Sequence, residues 1–139
     1  MRIAVACVIA LASLQLPVQA AEQDSASETG FDCKTAASTP AVEFCASQDY
    51  HAADLRLNEA YRTVVASVDT AGVPPEARAK WHNALVEAQR RWIAFRDAEC
   101  ALTGYEWYGG TGRAGAETTC MTQLTNSRIE ALQLHANSP

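Results

Sequence analysis

The segment QRRWIAFRDAEC, residues 89–100, places Trp92, Arg96 and Cys100 at successive four-residue steps. On a helix that spacing lines up an indole, a guanidinium and a thiol on one face. Such a line reads first as a possible active site, because a thiol near a cation is the usual setting of a reactive cysteine. A second segment supplies a counterpart. Cys120 opens a further helical pattern, MTQLTNSRIEAL, in which Arg128 lies among Met121, Leu124 and Leu132. Asp54 sits on the apolar face of a third pattern, DLRLNEAY, with Asn58 one turn on. Asp54 could act as a base, but a carboxylate paired with arginine holds its charge and takes up protons poorly near neutral pH. The simpler reading is a structural polar cluster of Asp54, Asn58, Gln89, Arg96 and Arg128 that fixes helix register, with Asp54 accepting from Arg96, Arg128 or both. Helical phase then makes Trp92 and Arg96 interior framework and Cys100 a clasp.

The elements that must position these residues are helical. Thr39-Pro40 predicts a short helical turn, with Thr39 as N-cap and Pro40 at the first helical position. From Ser47, a possible N-cap, to about Val68, the residues Tyr50, Leu57, Tyr61, Val64, Val65 and Val68 share one side. Gly72, Pro74 and Pro75 break the chain, and a second long helix is predicted from about Pro75 to Cys100, with Trp81, Leu85, Ala88, Trp92 and Phe95 as its apolar stripe. The last helix is expected from about Glu117 to Leu134. No stretch alternates as a half-buried strand does. The predicted fold is all-α: a small antiparallel helical bundle of three main helices plus a short N-terminal turn, stapled by two disulfides.

The first twenty residues have the form of an export signal, with Arg2 before an apolar run and Val18-Gln19-Ala20 as the cleavage site. Cleavage near Ala20 would remove Cys7 and leave Cys33, Cys45, Cys100 and Cys120, and with Cys7 gone lipid anchoring is not expected. Four cysteines in a small exported chain imply disulfides and allow three pairings. Sequence proximity favours Cys33 with Cys45 and Cys100 with Cys120, although spacing does not fix connectivity. Residues 21–32 read as a flexible acidic leader, and residues 33–135 as a single helical domain. No apolar run after the signal is long enough for stable membrane insertion. The expected location is periplasmic or secreted.

The whole chain carries a formal charge of −5, and loss of Arg2 leaves ten basic against sixteen acidic side chains, or −6. That balance argues against nucleic acid and suits a basic protein partner. His51, His82 and His135 lie on separate segments without ligand spacing, so neither a metal nor a cofactor is expected. There is no nucleophile elbow, C-x-x-C pair or phosphate-binding glycine motif, and the chain does not read as an enzyme. Contact chemistry points instead to Gly104–Gly115, predicted as an irregular loop, which holds five of the seven glycines with Tyr105, Trp107, Tyr108 and Arg113. Those rings either anchor a partner or fold back over the bundle.

Taken together, C-x11-C at Cys33 and Cys45, D-x-x-L-N-x-x-Y from Asp54 to Tyr61, and Q-x-x-W-x-x-x-R-x-x-x-C from Gln89 to Cys100 resemble the LprI-type lysozyme inhibitor N-terminal domain family. Gly109-Gly110-Thr111, Cys120, Thr125, Arg128 and Leu132 follow in the family's order, so the resemblance runs from Phe31 to Leu132. It implies a helical, disulfide-bonded envelope protein whose leading activity is inhibition of a basic lysozyme or another peptidoglycan hydrolase. On that reading the 104–115 loop enters the sugar cleft, Arg113 faces its carboxylates and Tyr105, Trp107 or Tyr108 occupy sugar subsites. The alternative is an envelope interaction or immunity domain for another exported protein.

Overall fold

In the computed structural model, the described residues are 30–137. The expected export signal and the leader as far as residue 29 lie outside them. Three helices follow in order: α1 (Thr39–Thr70), α2 (Pro75–Tyr105) and α3 (Arg113–Ala136). Proline in the first turn starts both α1 and α2, where a missing N–H costs no intrahelical bond. Arg78 closes the tight connection between them by donating to the carbonyls of Ala71 at 3.2 Å and Val73 at 3.5 Å. The Ala71 carbonyl at the C-cap of α1 and that of Val73 in the connection thereby gain a partner.

The chain runs up, down and up, with α3 packed along both other helices and α1 barely touching α2. Thr39 meets Thr111 and Arg56 meets Asn126, so α1 and α3 run parallel, while α2 is antiparallel to both. The core joins Leu57, Ala60, Val64 and Val68 of α1 to Leu85 of α2 and to Ile129 and Leu132 of α3. Toward the other end, α1 buries mainly alanines, Ala41, Ala46 and Ala53. Small side chains there let the backbones approach.

Several boundaries differ from those predicted, each for a local physical reason. The turn at Thr39-Pro40 does not stand apart: α1 is continuous through Ser47, whose hydroxyl donates to the Phe44 carbonyl at 2.8 Å instead of capping a new helix. No glycine or proline interrupts residues 41–70, so nothing breaks it. The N-cap is Ser38, one residue earlier than Thr39. The predicted 104–115 loop shrinks to residues 106–112, because α2 continues to Tyr105 and α3 begins at Arg113. Gly104 and Gly115 are buried within helices, and a Cβ on Gly104 would stand 3.0 Å from Glu117 Oε2. Gly104 serves this close approach, whereas a Cβ on Gly115 would meet Val42 and Glu43 at ordinary contact distances of 3.7 and 3.8 Å. Gly109, at φ +81°, is the one in the loop that turns the chain.

The apolar stripe of α2 also differs. Trp81 and Phe95 are 38% and 54% exposed, and Ala88 is exposed, whereas Leu85, Arg96, Cys100 and Gly104 form the buried line. A helix that packs chiefly against one neighbour buries a narrow face.

Both disulfides have the favoured pairing, with Cα–Cα separations of 5.6 Å for Cys33–Cys45 and 5.4 Å for Cys100–Cys120. The first bends residues 30–38 back onto α1, where the Phe31 and Phe44 rings lie 5.8 Å apart. The second locks the end of α2 to α3. Replacing Cys100 and Cys120 together by alanine is expected to lower stability by about 3 kcal/mol through the freed unfolded chain. Denaturant unfolding with an unchanged midpoint would contradict this.

Candidate functional site

The helices carry two groups of residues singled out by the sequence. The first lies where all three meet. Arg96 is 7% exposed, and its guanidinium sits 5.4 Å from the Tyr50 ring centroid on α1 and 5.2 Å from that of Trp92 on its own helix. Its Nε and Nη2 both donate to Asp97 Oδ1, at 2.8 and 2.7 Å. From α3, Arg128 approaches the Trp92 ring at 5.8 Å and donates through Nε to Gln89 Oε1 at 3.1 Å. Two arginines and two aromatic rings thus form a seam between helices.

Asp54 does not take the role expected of it. It accepts from Asn58 at 3.0 Å, and among the described residues no ion pair joins it to Arg96 or Arg128. The backbone neighbour Asp97 reaches Arg96 with its carboxylate in solvent, which spares the cost of burying two charges. Sequence reasoning treated Tyr50 only as an apolar stripe residue and missed it as the ring over Arg96. Burial pushes the Tyr50 phenol above its ordinary value, the Arg96 charge opposes this, and Asp54 and Asp97 reinforce it. Burial lowers Arg128, although a guanidinium remains charged.

The second group occupies the end of the bundle beyond the Cys100–Cys120 bridge. Tyr105, Trp107 and Tyr108 are 58%, 53% and 84% exposed. They do not fold into the core. Successive turns order the loop, from Trp107 N–H to Gly104 carbonyl at 3.2 Å to Gly110 N–H on Trp107 carbonyl at 3.0 Å. The hydroxyls of Thr39 and Thr111 lie 3.2 Å apart and join the loop to the start of α1. Arg113 stacks over the Tyr105 ring at 4.6 Å, and Gly112 leaves room for the Trp107 indole, since a Cβ there would come within 3.1 Å of it. The outcome is a tethered, ordered aromatic end.

Beside Trp107 opens a cavity of about 650 Å³ between the start of α1, the loop and α3. Its other walls include Thr39, Glu43, Thr111 and Thr119. Sequence reasoning did not find it, and the one available sign was the small residues that flank Arg113 between Gly109 and Ala116. Among the described residues, no group of three or more His, Cys, Asp or Glu side chains is arranged to hold a metal ion. Nor is any described helix long and apolar enough to cross a membrane.

Two outcomes test the seam. Arg96→Ala is expected to cost about 2 kcal/mol by removing a desolvated cation from between two rings, and Arg96→Lys to restore only part, because ammonium lacks the stacking plane. A melting temperature equal to wild type would show that the seam carries no stability. The raised Tyr50 value also has a pH signature: its stabilising contribution is complete below the unfolded value of about 10 and disappears as pH rises through the folded value. Tyr50→Phe should therefore lose less stability than wild type on going to strongly alkaline pH, and parallel curves would refute this.

Comparison with known proteins places the chain. An uncharacterized protein of Rhizobium meliloti is 40% identical over 106 residues, covering 73% of this chain and 76% of its own. The uncharacterized protein YecT of Escherichia coli is 33% identical over 105 residues, covering 70% of this chain and 64% of its own. No solved structure matches the chain. The family model described as lysozyme inhibitor LprI matches residues 32–132. That span contains both disulfides, the arginine seam, the aromatic end and all but the last turn of α3, and the chain belongs to the lysozyme inhibitor LprI family.

Proposed function

We propose that this protein is exported and inhibits a basic, lysozyme-type peptidoglycan hydrolase by presenting its aromatic end to the enzyme's cleft, without catalysis of its own. The observation that carries this reading is the exposure of Tyr105 at the end of α2 and of Trp107 and Tyr108 on the ordered loop after it, anchored by a disulfide and by the Thr39–Thr111 contact. Rigid aromatic residues bind at low entropic cost, and a tethered loop lowers that cost further. Membership of a family described as lysozyme inhibitors supports this class of target.

Charge supports the same partner. A chain of net charge −5 is drawn toward a basic enzyme, which raises the rate of encounter. Lysozyme-type clefts carry two catalytic carboxylates among sugar subsites. Arg113, held over Tyr105, is the cation at this end suited to face them, while the rings take places that sugar rings would occupy. Disulfides in the described residues fit an oxidising compartment outside the cytoplasm.

The test uses residues 21–139 against a panel of basic lysozymes, with bacterial cell-wall lysis as readout. Inhibition is expected, and Tyr108→Ala or Arg113→Ala should each weaken it about tenfold or more, as central interface residues do. Replacing residues 106–112 by a glycine-serine linker should abolish inhibition while the bundle still melts cooperatively. Undiminished lysis at micromolar excess across the panel would overturn the proposal and favour an envelope interaction or immunity role for the same surface.

A further inference from the structure

We infer that the cavity beside Trp107 receives a cationic side chain, lysine or arginine, from the protein partner. The only formal charge in its lining is the carboxylate of Glu43. Glu43 is partly buried, its Cγ lies 3.8 Å from where a Gly115 Cβ would be, and its carboxylate has no hydrogen bond or ion pair among the described residues. A carboxylate left without a protein partner on the wall of a cavity attracts a cation there. A cation entering the cavity would pair with it.

The rest of the lining suits the same guest. Trp107 presents an indole wall, held in place across Gly112, and cations bind aromatic faces, tryptophan best of all. The hydroxyls of Thr39, Thr111 and Thr119 offer acceptor oxygens for ammonium or guanidinium N–H groups. No lysine or arginine lines the space. An anion would meet Glu43 unfavourably, and a neutral ligand would leave its charge unpaired. At about 650 Å³ the cavity is within the range of sites that enclose a small ligand or a long side chain.

This inference deepens the proposed function, since it gives the basic partner a specific anchor, but its test needs no lysozyme. Nitrogen-15-labelled protein would be titrated with argininamide and, separately, with diacetylchitobiose, following the Trp107 indole N–H and the amides of Thr111, Gly112 and Thr119. For a ligand this small, argininamide is expected to shift these signals saturably with a dissociation constant of about 1 mM. Glu43→Gln should weaken that binding at least fivefold with its melting temperature and spectral dispersion kept. A wild-type protein without saturable shifts, a Glu43→Gln variant that binds argininamide equally well, or a response to the disaccharide alone would each overturn the inference. Failure here would leave loop-mediated inhibition standing, whereas absent lysozyme inhibition with intact argininamide binding would remove only the identity of the partner.

Discussion

Arg96, held between the rings of Tyr50 and Trp92, is the contact on which the arrangement of the three helices depends. α1 and α2 make few contacts, and this stack joins them at a level apart from Leu85 in the core and Arg78 at the connection. α3 joins at the same level through Arg128, which reaches both Trp92 and Gln89. Planar guanidinium groups suit this position because they stack on rings while their edges donate hydrogen bonds. Asp97 receives those bonds at the solvent edge, so the buried cation is satisfied without an equally buried anion. The line of Trp92, Arg96 and Cys100 is therefore structural at each step: a ring, a stacked cation and a disulfide.

That line also sets the geometry of the aromatic end. Cys100 binds Cys120 five residues before α2 ends, and Gly104 then allows α2 to pass close to Glu117 of α3. Gly115 lies in ordinary contact with Val42 and Glu43 of α1. From these helix ends the 106–112 connection leaves Trp107 and Tyr108 exposed. The cavity arises at the same place, where the loop spans from α2 to α3 and Thr111 meets Thr39.

The site was partly legible in the sequence. Tyr105, Trp107, Tyr108 and Arg113 stood out because aromatic rings and a cation within a glycine-rich stretch have no periodic face to occupy. Glu43 did not stand out, and Thr39 only as a helix cap, since each is an ordinary helix residue until a parallel neighbour comes to lie beside it. Asp54 misled for a related reason. A carboxylate on an apolar stripe demands a partner, and Asn58 on the same helix supplied it before any arginine was needed.

By itself the sequence determined the three helices and the breaks between them and favoured the near pairing of four cysteines, because periodicity, proline and short loop closure act within a few turns of chain. Only the tertiary structure decided which face of α2 is buried, that Gly104 and Gly115 lie inside helices, and that Tyr50 covers Arg96. Those outcomes depend on α1 and α3 packing in parallel, through contacts between residues 70 and 72 positions apart. Local propensity contains no information about such a neighbour; the distant side chains that exclude water supply it.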